Sequence, residues 1–140
     1  MRIVLDTNVA FSALLWRGLP YDFLQITRRH HRVRLFSSDA LLQELGEVLT
    51  RPTSMKRLVL IGLSAADALA AYSDAVERVT PLSIEPVIAA DPDDDEVIAA
   101  AVAAGADMIV SGDRHLLDLG NHQGIHIVTV SEAMRLLVSP

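Results

Sequence analysis

The chain has 140 residues, of which 51% are hydrophobic and only 4% aromatic, so it can form one domain with a mostly aliphatic core. Its 12 basic and 18 acidic residues give a formal net charge of -6, which argues against a basic protein that coats nucleic acid. The sequence has no cysteine, which excludes disulfides, thiol catalysis and zinc–thiolate sites.

The sequence also predicts the cellular location of the protein. The chain reaches Asp6 after three apolar residues, which is too short a run for the core of a signal peptide. The longest alanine-rich stretch, residues 97–106, is far shorter than a membrane span. Together with the absence of cysteine, this predicts a cytoplasmic protein without a membrane segment.

The amino-terminal part of the chain predicts two short strands and several helices. The β-branched, apolar run at residues 3–5 is typical of a buried strand, and residues 33–36 indicate a second short strand. Helical spacing predicts helices over 21–31 and 38–51, and one or two helices over 54–80 with a break near residues 62–64.

The carboxyl-terminal part continues the alternation of strands and helices. Its predicted elements are an irregular segment or short edge strand over 81–86, a helix over 91–104, strands over 107–110 and 125–128, and a helix over 131–138. Strands separated by helices imply an α/β fold, with a central, mostly parallel sheet of four to five strands between two helical layers. We expect residues 1–140 to form a single domain.

Two acidic residues directly follow predicted strands. Asp6 follows the first strand, and Asp113 follows the strand over 107–110 after Ser111 and Gly112. In parallel sheets, ligands bind beyond the carboxyl ends of the strands. Acids also commonly begin the loop after a strand, so neither position alone identifies a site.

A glutamate in the helix over 38–51 has a position that fits the same site. At 100° per residue, Glu44 lies on the flank of the apolar stripe, whereas Glu47 points to solvent. A flank glutamate can also simply extend to water.

Five acids occur within residues 91–96, where a helix begins. The helix dipole and capping explain one or two of them, but the mutual repulsion of all five would be relieved by a bound cation. Spacing alone does not choose between Asp94 and Asp95, and Asp94 points slightly more toward the apolar face.

Converging carboxylates predict a divalent metal site, because they cannot all stay ionised in one pocket without a cation. Hard oxygen ligands suit Mg²⁺ or Mn²⁺. Such a site activates water for hydrolysis of a phosphodiester bond. A zinc hydrolase is disfavoured, because the one histidine pair that is four residues apart, His122 and His126, is expected in a loop and a strand and not on a helix.

Four motifs, in order over almost the whole chain, resemble those of the PIN-domain ribonucleases. They are IVLDTNV at residues 3–9, SSDALLQEL with EVL and RP at 37–52, DPDDD with VIAAA at 91–101, and IVSGD with LL at 109–117. Within that family the sequence resembles the VapC-like toxins of toxin–antitoxin pairs.

The resemblance implies a PIN-like fold and a Mg²⁺-dependent endoribonuclease, with Mn²⁺ as a substitute. It implies that four acids are the metal ligands and catalytic residues: Asp6, Glu44, Asp95 and Asp113. The family pattern selects Asp95, with Asp94 as the alternative ligand. Thr7, Asn8 and Ser111 would then be hydrogen-bond partners of the ligands. A toxin role further implies an RNA substrate, an antitoxin partner and a homodimer.

The chain departs from the family pattern in two respects. Some relatives carry a further acid three residues after the fourth motif's aspartate, where this chain has Leu116, and Asp118 comes two residues later. The acidic balance also leaves few residues to bind RNA. The candidates for RNA contact are Arg28, Arg29, Arg32 and His115, and the three arginines could instead complement the helix dipole.

Two other functions are compatible with the residues. A PIN-like domain can act as a non-catalytic interaction module. Asp6 could also be the nucleophile of an aspartyl-phosphate phosphohydrolase of the haloacid-dehalogenase type, although Asn8 occupies the place of that chemistry's second acid. A receiver domain is a weaker form of the same alternative.

Overall fold

In the computed structural model the described residues are 1–82 and 92–138, with side chains from residue 94 onward in the second range. These ranges hold six strands: β1 (Arg2–Leu5), β2 (Arg34–Ser37), β3 (Glu77–Arg78), β4 (Met108–Val110), β5 (Asn121–His122) and β6 (Ile125–Val128). They also hold eight helices: α1 (Thr7–Leu15), α2 (Leu19–Arg29), α3 (Asp39–Leu49), α4 (Pro52–Ile61), α5 (Ala65–Ala75), α6 (Pro92–Ala104), α7 (Arg114–Leu119) and α8 (Val130–Val138).

The strands form one sheet in the order β3-β2-β1-β4-β6-β5. All neighbours are parallel except β5, which pairs antiparallel with β6. Strands β1 and β4 lie side by side in the centre, and Leu5 pairs with Val110 at their carboxyl ends. The residues that follow these two strands therefore emerge together at one edge of the sheet.

Both faces of the sheet are covered by apolar side chains. On β1, Ile3 and Leu5 belong to a core cluster that includes Phe23 of α2, whereas Val4 belongs to a second cluster that includes Ile98 of α6. This division follows from the alternation of side chains along a strand. The predicted α/β fold with two helical layers around a mostly parallel sheet is confirmed.

The structure corrects several details of the sequence prediction. The four predicted strands are present, but two-residue strands at both edges, β3 and β5, bring the described sheet to six strands instead of four to five. Residues 81–82 have no regular structure, and residues 83–86 lie outside the described part. The region over 54–80 holds two helices, α4 and α5, because Gly62 ends α4 with a left-handed φ of 70°.

Helices α1 and α7 were not predicted. The sequence of α1, TNVAFSALL, is apolar over most of its length and lacks a clear polar face. Helix α7 has only six residues, too few for a periodic pattern to emerge. Both helices begin directly after a strand-end aspartate, so their positions matter for the site.

Among the described residues, no single helix is long and apolar enough to cross a membrane. Helices α4 and α5 together reach that length and composition, but they meet at a bend of 84°.

Candidate metal centre at the sheet edge

A cavity of about 240 Å³ opens where the central strands end. Its lining is mostly polar and combines residues from the two central strand ends with residues from α1, α3, α6 and the start of α4: Asp6, Thr7, Asn8, Glu44, Val48, Arg51, Asp94, Val97 and Asp113. Four carboxyl groups that are far apart in sequence therefore share one cavity.

Asp6 lies at the end of β1 and is also the N-cap of α1. Its Oδ1 atom accepts a hydrogen bond from the backbone N–H of Val9 at 2.9 Å, which is the usual role of an N-cap aspartate. Its Oδ2 atom accepts a short hydrogen bond from the hydroxyl of Ser111. These two bonds fix the orientation of a carboxylate that is only 5% exposed.

Ser111 connects the two strand ends. Its side chain is fully buried, and its Oγ atom donates to Asp6 and accepts the backbone N–H of Asp113 at 2.9 Å. Asp113 in turn caps α7, because its Oδ1 atom accepts the N–H groups of His115 at 2.8 Å and Leu116 at 3.3 Å. The relative positions of the two strand-end carboxylates are thus set by one hydroxyl group.

The other two carboxylates come from helices. Glu44 of α3 lines the cavity, whereas Glu47, one turn later, is exposed and does not line it. On α6 the buried Asp94 lines the cavity, whereas Asp95 is partly exposed and is not among the lining residues. The geometry therefore favours Asp94, the alternative left open by helical spacing, over Asp95.

His115 stands at the rim of the acidic cavity. Its Nδ1 atom is 4.0 Å from Oδ2 of Asp94 and 4.0 Å from Oδ1 of Asp113. The imidazole is 56% exposed, so it can change its rotamer without disturbing the core. Of the four residues considered as RNA contacts, His115 is therefore the one that lies at the rim of the cavity.

The electrostatics of the cavity disfavour four free negative charges. Burial raises the pKa of the Asp6 carboxyl above its ordinary value, and the charge of Asp113 adds a smaller rise, while hydrogen bonds from Ser111 and Val9 partly oppose both. A cation between these groups would remove the cost of keeping Asp6 ionised.

The donor set fits a hard divalent cation. The cavity offers carboxylate oxygens from Asp6, Glu44, Asp94 and Asp113, which are the ligands that Mg²⁺ and Mn²⁺ prefer. The buried hydroxyl of Thr7 has no hydrogen-bond partner among the described residues. A polar group in that position can bond to water held around a cation, and Asn8 lines the same cavity.

One residue of the site was missed in the sequence. Among the described residues that line this cavity, Arg51, which precedes α4, is the only basic one. In the sequence it is simply the residue before Pro52, where helix α3 was expected to stop. The signal that could have identified it is a positive charge placed directly after the helix that carries Glu44.

The arginine cluster considered for RNA binding lies at the opposite edge of the sheet. Arg28 and Arg29 are in the last turn of α2, and the carbonyl of Arg32 accepts a hydrogen bond from the amino terminus of Met1. Met1 precedes Asp6 by five residues along β1, a distance of roughly 16 Å at 3.3 Å per residue. These arginines cannot reach a phosphate in the acidic cavity, so contact with a more distant part of an RNA stays a prediction.

Comparison with known proteins identifies the fold. A family model described as PIN domain matches residues 2–115. Among solved structures, the chain is similar to the crystal structure of VapBC2 from Rickettsia felis bound to a DNA fragment from their promoter. That match has a TM-score of 0.60 and 14% identity, and it covers 91% of this chain and 97% of the other. No curated protein sequence matches.

The raised pKa of Asp6 predicts how pH affects stability without metal. The folded state binds this proton more tightly than the unfolded chain, so the cation-free protein loses stability as pH rises from the ordinary value of 3.8 through the raised value. Asp6→Asn keeps an N-cap side chain but removes the charge. We expect its Tm in EDTA at pH 7.5 to exceed that of the wild type. The increase should be roughly 2–4 °C for each kcal/mol by which the buried charge destabilises the folded state.

The control for this measurement is Glu47→Gln, which neutralises an exposed acid on α3 and should change stability by less than about 0.5 kcal/mol. The difference in Tm between Asp6→Asn and the wild type should become smaller as pH falls toward 3.8. An Asp6→Asn protein that melts at or below the wild-type Tm at pH 7.5 would show that the buried carboxylate is not destabilising.

Proposed function

We propose that this chain, which belongs to the PIN-domain family, is a Mg²⁺- or Mn²⁺-dependent endoribonuclease. The observation that carries the proposal is the convergence of Asp6, Glu44, Asp94 and Asp113 in one cavity at the carboxyl ends of the central strands. Family membership supports a nuclease. The requirement for a divalent cation and the choice of RNA are the proposal's own steps.

Three aspartates would hold the cation. Asp6 and Asp113 are fixed by helix-capping hydrogen bonds and by Ser111, so little side-chain entropy is lost when they bind a ligand. Each carboxylate oxygen has two lone pairs, so the capping bonds leave capacity for a cation. Asp94, in the first turn of α6, completes the set, because one of its carboxylate oxygens lies within 4.8 Å of one from Asp113.

A divalent cation in this cavity would lower the pKa of an attacking water and neutralise charge on the phosphoryl group. The carboxylate of Glu44 orients that water and accepts its proton. The water oxygen would bond to phosphorus as the bond to the leaving oxygen breaks, the leaving oxygen would take a proton from solvent, and no covalent enzyme intermediate is needed. The guanidinium of Arg51 binds a phosphate oxygen, a role for which arginine is well suited.

The hydrogen bonds of Asp6 favour hydrolysis by water over an aspartyl-phosphate mechanism. Both of its oxygens accept hydrogen bonds, from Val9 and Ser111, in a nearly buried position. A nucleophilic aspartate needs an oxygen that is open to the phosphorus atom. Asp6 is better arranged as a fixed ligand.

We further propose that the protein is the toxin of a toxin–antitoxin pair in the cytoplasm, with an antitoxin partner and a homodimeric assembly. The similarity to the fold in the VapBC2 structure supports the antitoxin partner, whereas the homodimer follows from the family resemblance alone and the cytoplasmic location is a prediction from the sequence. Exposed apolar side chains on α4 also suit a protein partner, because Val59 is 76% and Leu60 78% exposed.

The two adjacent aspartates of α6 provide a matched test of the site. We expect Asp94→Asn to slow cleavage of a single-stranded RNA by at least about 100-fold, because it removes a cation ligand. Asp95→Asn should slow cleavage much less, and Glu47→Gln should leave it unchanged. The measurement is the initial rate in Mg²⁺ and in Mn²⁺, with EDTA as the blank.

A larger loss for Asp95→Asn than for Asp94→Asn would reverse the ligand assignment in favour of the family pattern. If the purified wild type binds Mn²⁺ but cleaves no RNA in this assay, the interaction module becomes the better function. Circular dichroism on each variant separates loss of activity from loss of folding.

The role of Arg51 predicts a specific kinetic change. Arg51→Ala should raise KM for RNA and lower the slope of log KM against log salt by about 0.7, the value for one phosphate contact on a single strand. The three arginines near the end of α2 lie at the opposite sheet edge. Replacing all of them in one triple variant, Arg28→Ala, Arg29→Ala and Arg32→Ala, should therefore affect KM less. A triple variant that weakens RNA binding more than Arg51→Ala would place the RNA path across that edge instead.

A further inference from the structure

We propose that the Nδ1 atom of His115 is a direct ligand of the divalent cation, together with carboxylate oxygens of Asp94 and Asp113, and that this nitrogen biases the site toward Mn²⁺ over Mg²⁺. The inference rests on the proposed function, since it requires a cation in the acidic cavity. It adds a nitrogen ligand to the three aspartates of the proposed function and assigns a preferred metal.

The spacing of the three side chains carries the geometric argument. Ligand atoms of Asp94, Asp113 and His115 all lie within 4.8 Å of one another. The Nδ1 atom is 4.0 Å from an oxygen of each aspartate, which is too long for a hydrogen bond. Ligand atoms about 2.1 Å from an octahedral ion are roughly 3.0 Å apart when adjacent and roughly 4.2 Å apart when opposite, and the observed distances of 4.0 Å lie within that range. The spacing therefore suits ligands that share an ion.

A backbone hydrogen bond keeps the side chain of His115 next to Asp113. The N–H of His115 donates to Oδ1 of Asp113 at 2.8 Å, so the two residues are fixed relative to each other in the first turn of α7. The imidazole itself is 56% exposed. A small rotation about its side-chain torsions can close the remaining distance without repacking the core.

The neighbouring residues explain why histidine, and not an acid of α7, fills this position. Leu116 is fully buried in the second core cluster, so it points away from the cavity. Asp118 is exposed and does not line the cavity. On α7 the side chain that stands beside Asp94 is therefore that of His115.

The choice of metal follows from the donor chemistry. Mg²⁺ takes oxygen ligands and gives up its bound water reluctantly. Imidazole nitrogen, by contrast, suits transition metals. A site with one imidazole among carboxylates should gain more affinity for Mn²⁺ than for Mg²⁺ from that nitrogen.

The test is electron spin echo envelope modulation on the full chain loaded with Mn²⁺, which detects a nitrogen bonded to the metal. We expect ¹⁴N modulation in the wild type and its loss in His115→Ala. The matched control is His31→Ala, which removes an exposed imidazole from the loop after α2, near the other sheet edge. Labelling histidine with ¹⁵N should change the modulation in the wild type.

Competition titrations give a second readout. His115→Ala should weaken Mn²⁺ binding by about tenfold or more, and Mg²⁺ binding by much less. Bound Mn²⁺ without nitrogen modulation in the wild type would overturn the role of His115 while leaving the carboxylate site intact. A wild type that binds no Mn²⁺ would overturn both this inference and the cation site of the proposed function.

Discussion

The hydrogen bonds of Ser111 are the interaction on which the site depends. One buried hydroxyl donates to the carboxylate of Asp6 and accepts the backbone N–H of Asp113, and so joins the ends of the two central strands. The same two aspartates begin α1 and α7 as N-caps. Site geometry and helix geometry are therefore set by one network, which is why the acids can be both structural and functional.

This network has an electrostatic cost. It holds Asp6 in a nearly buried position beside the charge of Asp113, and burial raises the pKa of Asp6. Glu44 and Asp94 add two more carboxyl groups, and Arg51 is the single basic residue among the described residues of the lining. A divalent cation would stabilise this arrangement in its ionised form, and the guanidinium of Arg51 adds a positive charge of the sign that pairs with a phosphate. Structure and proposed chemistry thus follow from the same crowding of acids.

The sequence predicted the parts of the fold that have a clear period or a clear chain position. The buried strands, and the common location of the acids that follow them, could be predicted from the sequence. The reason is that the residues after parallel strands lie at the same edge of the sheet. The face of α3 separated Glu44 from Glu47. Helix α1 was missed because its residues are apolar on most sides, and because Asp6 was considered only as a site acid and not as a cap. Neighbouring positions on a helix differ by 100°, so choosing Asp94 over Asp95 needed the packed position of α6. Arg51 became part of the site only through the approach of α3 and α4 to the strand ends.

The most direct test of this account is the anomalous diffraction of a crystal of the protein soaked in Mn²⁺. The account predicts a peak in the cavity between Asp6, Asp94 and Asp113, at about 2.0–2.3 Å from oxygens of these carboxylates, and no such peak in Asp113→Asn crystals soaked in the same way. A wild-type crystal with no peak in this cavity, or with Mn²⁺ bound only elsewhere, would contradict the claim that the strand-end acids form a metal centre.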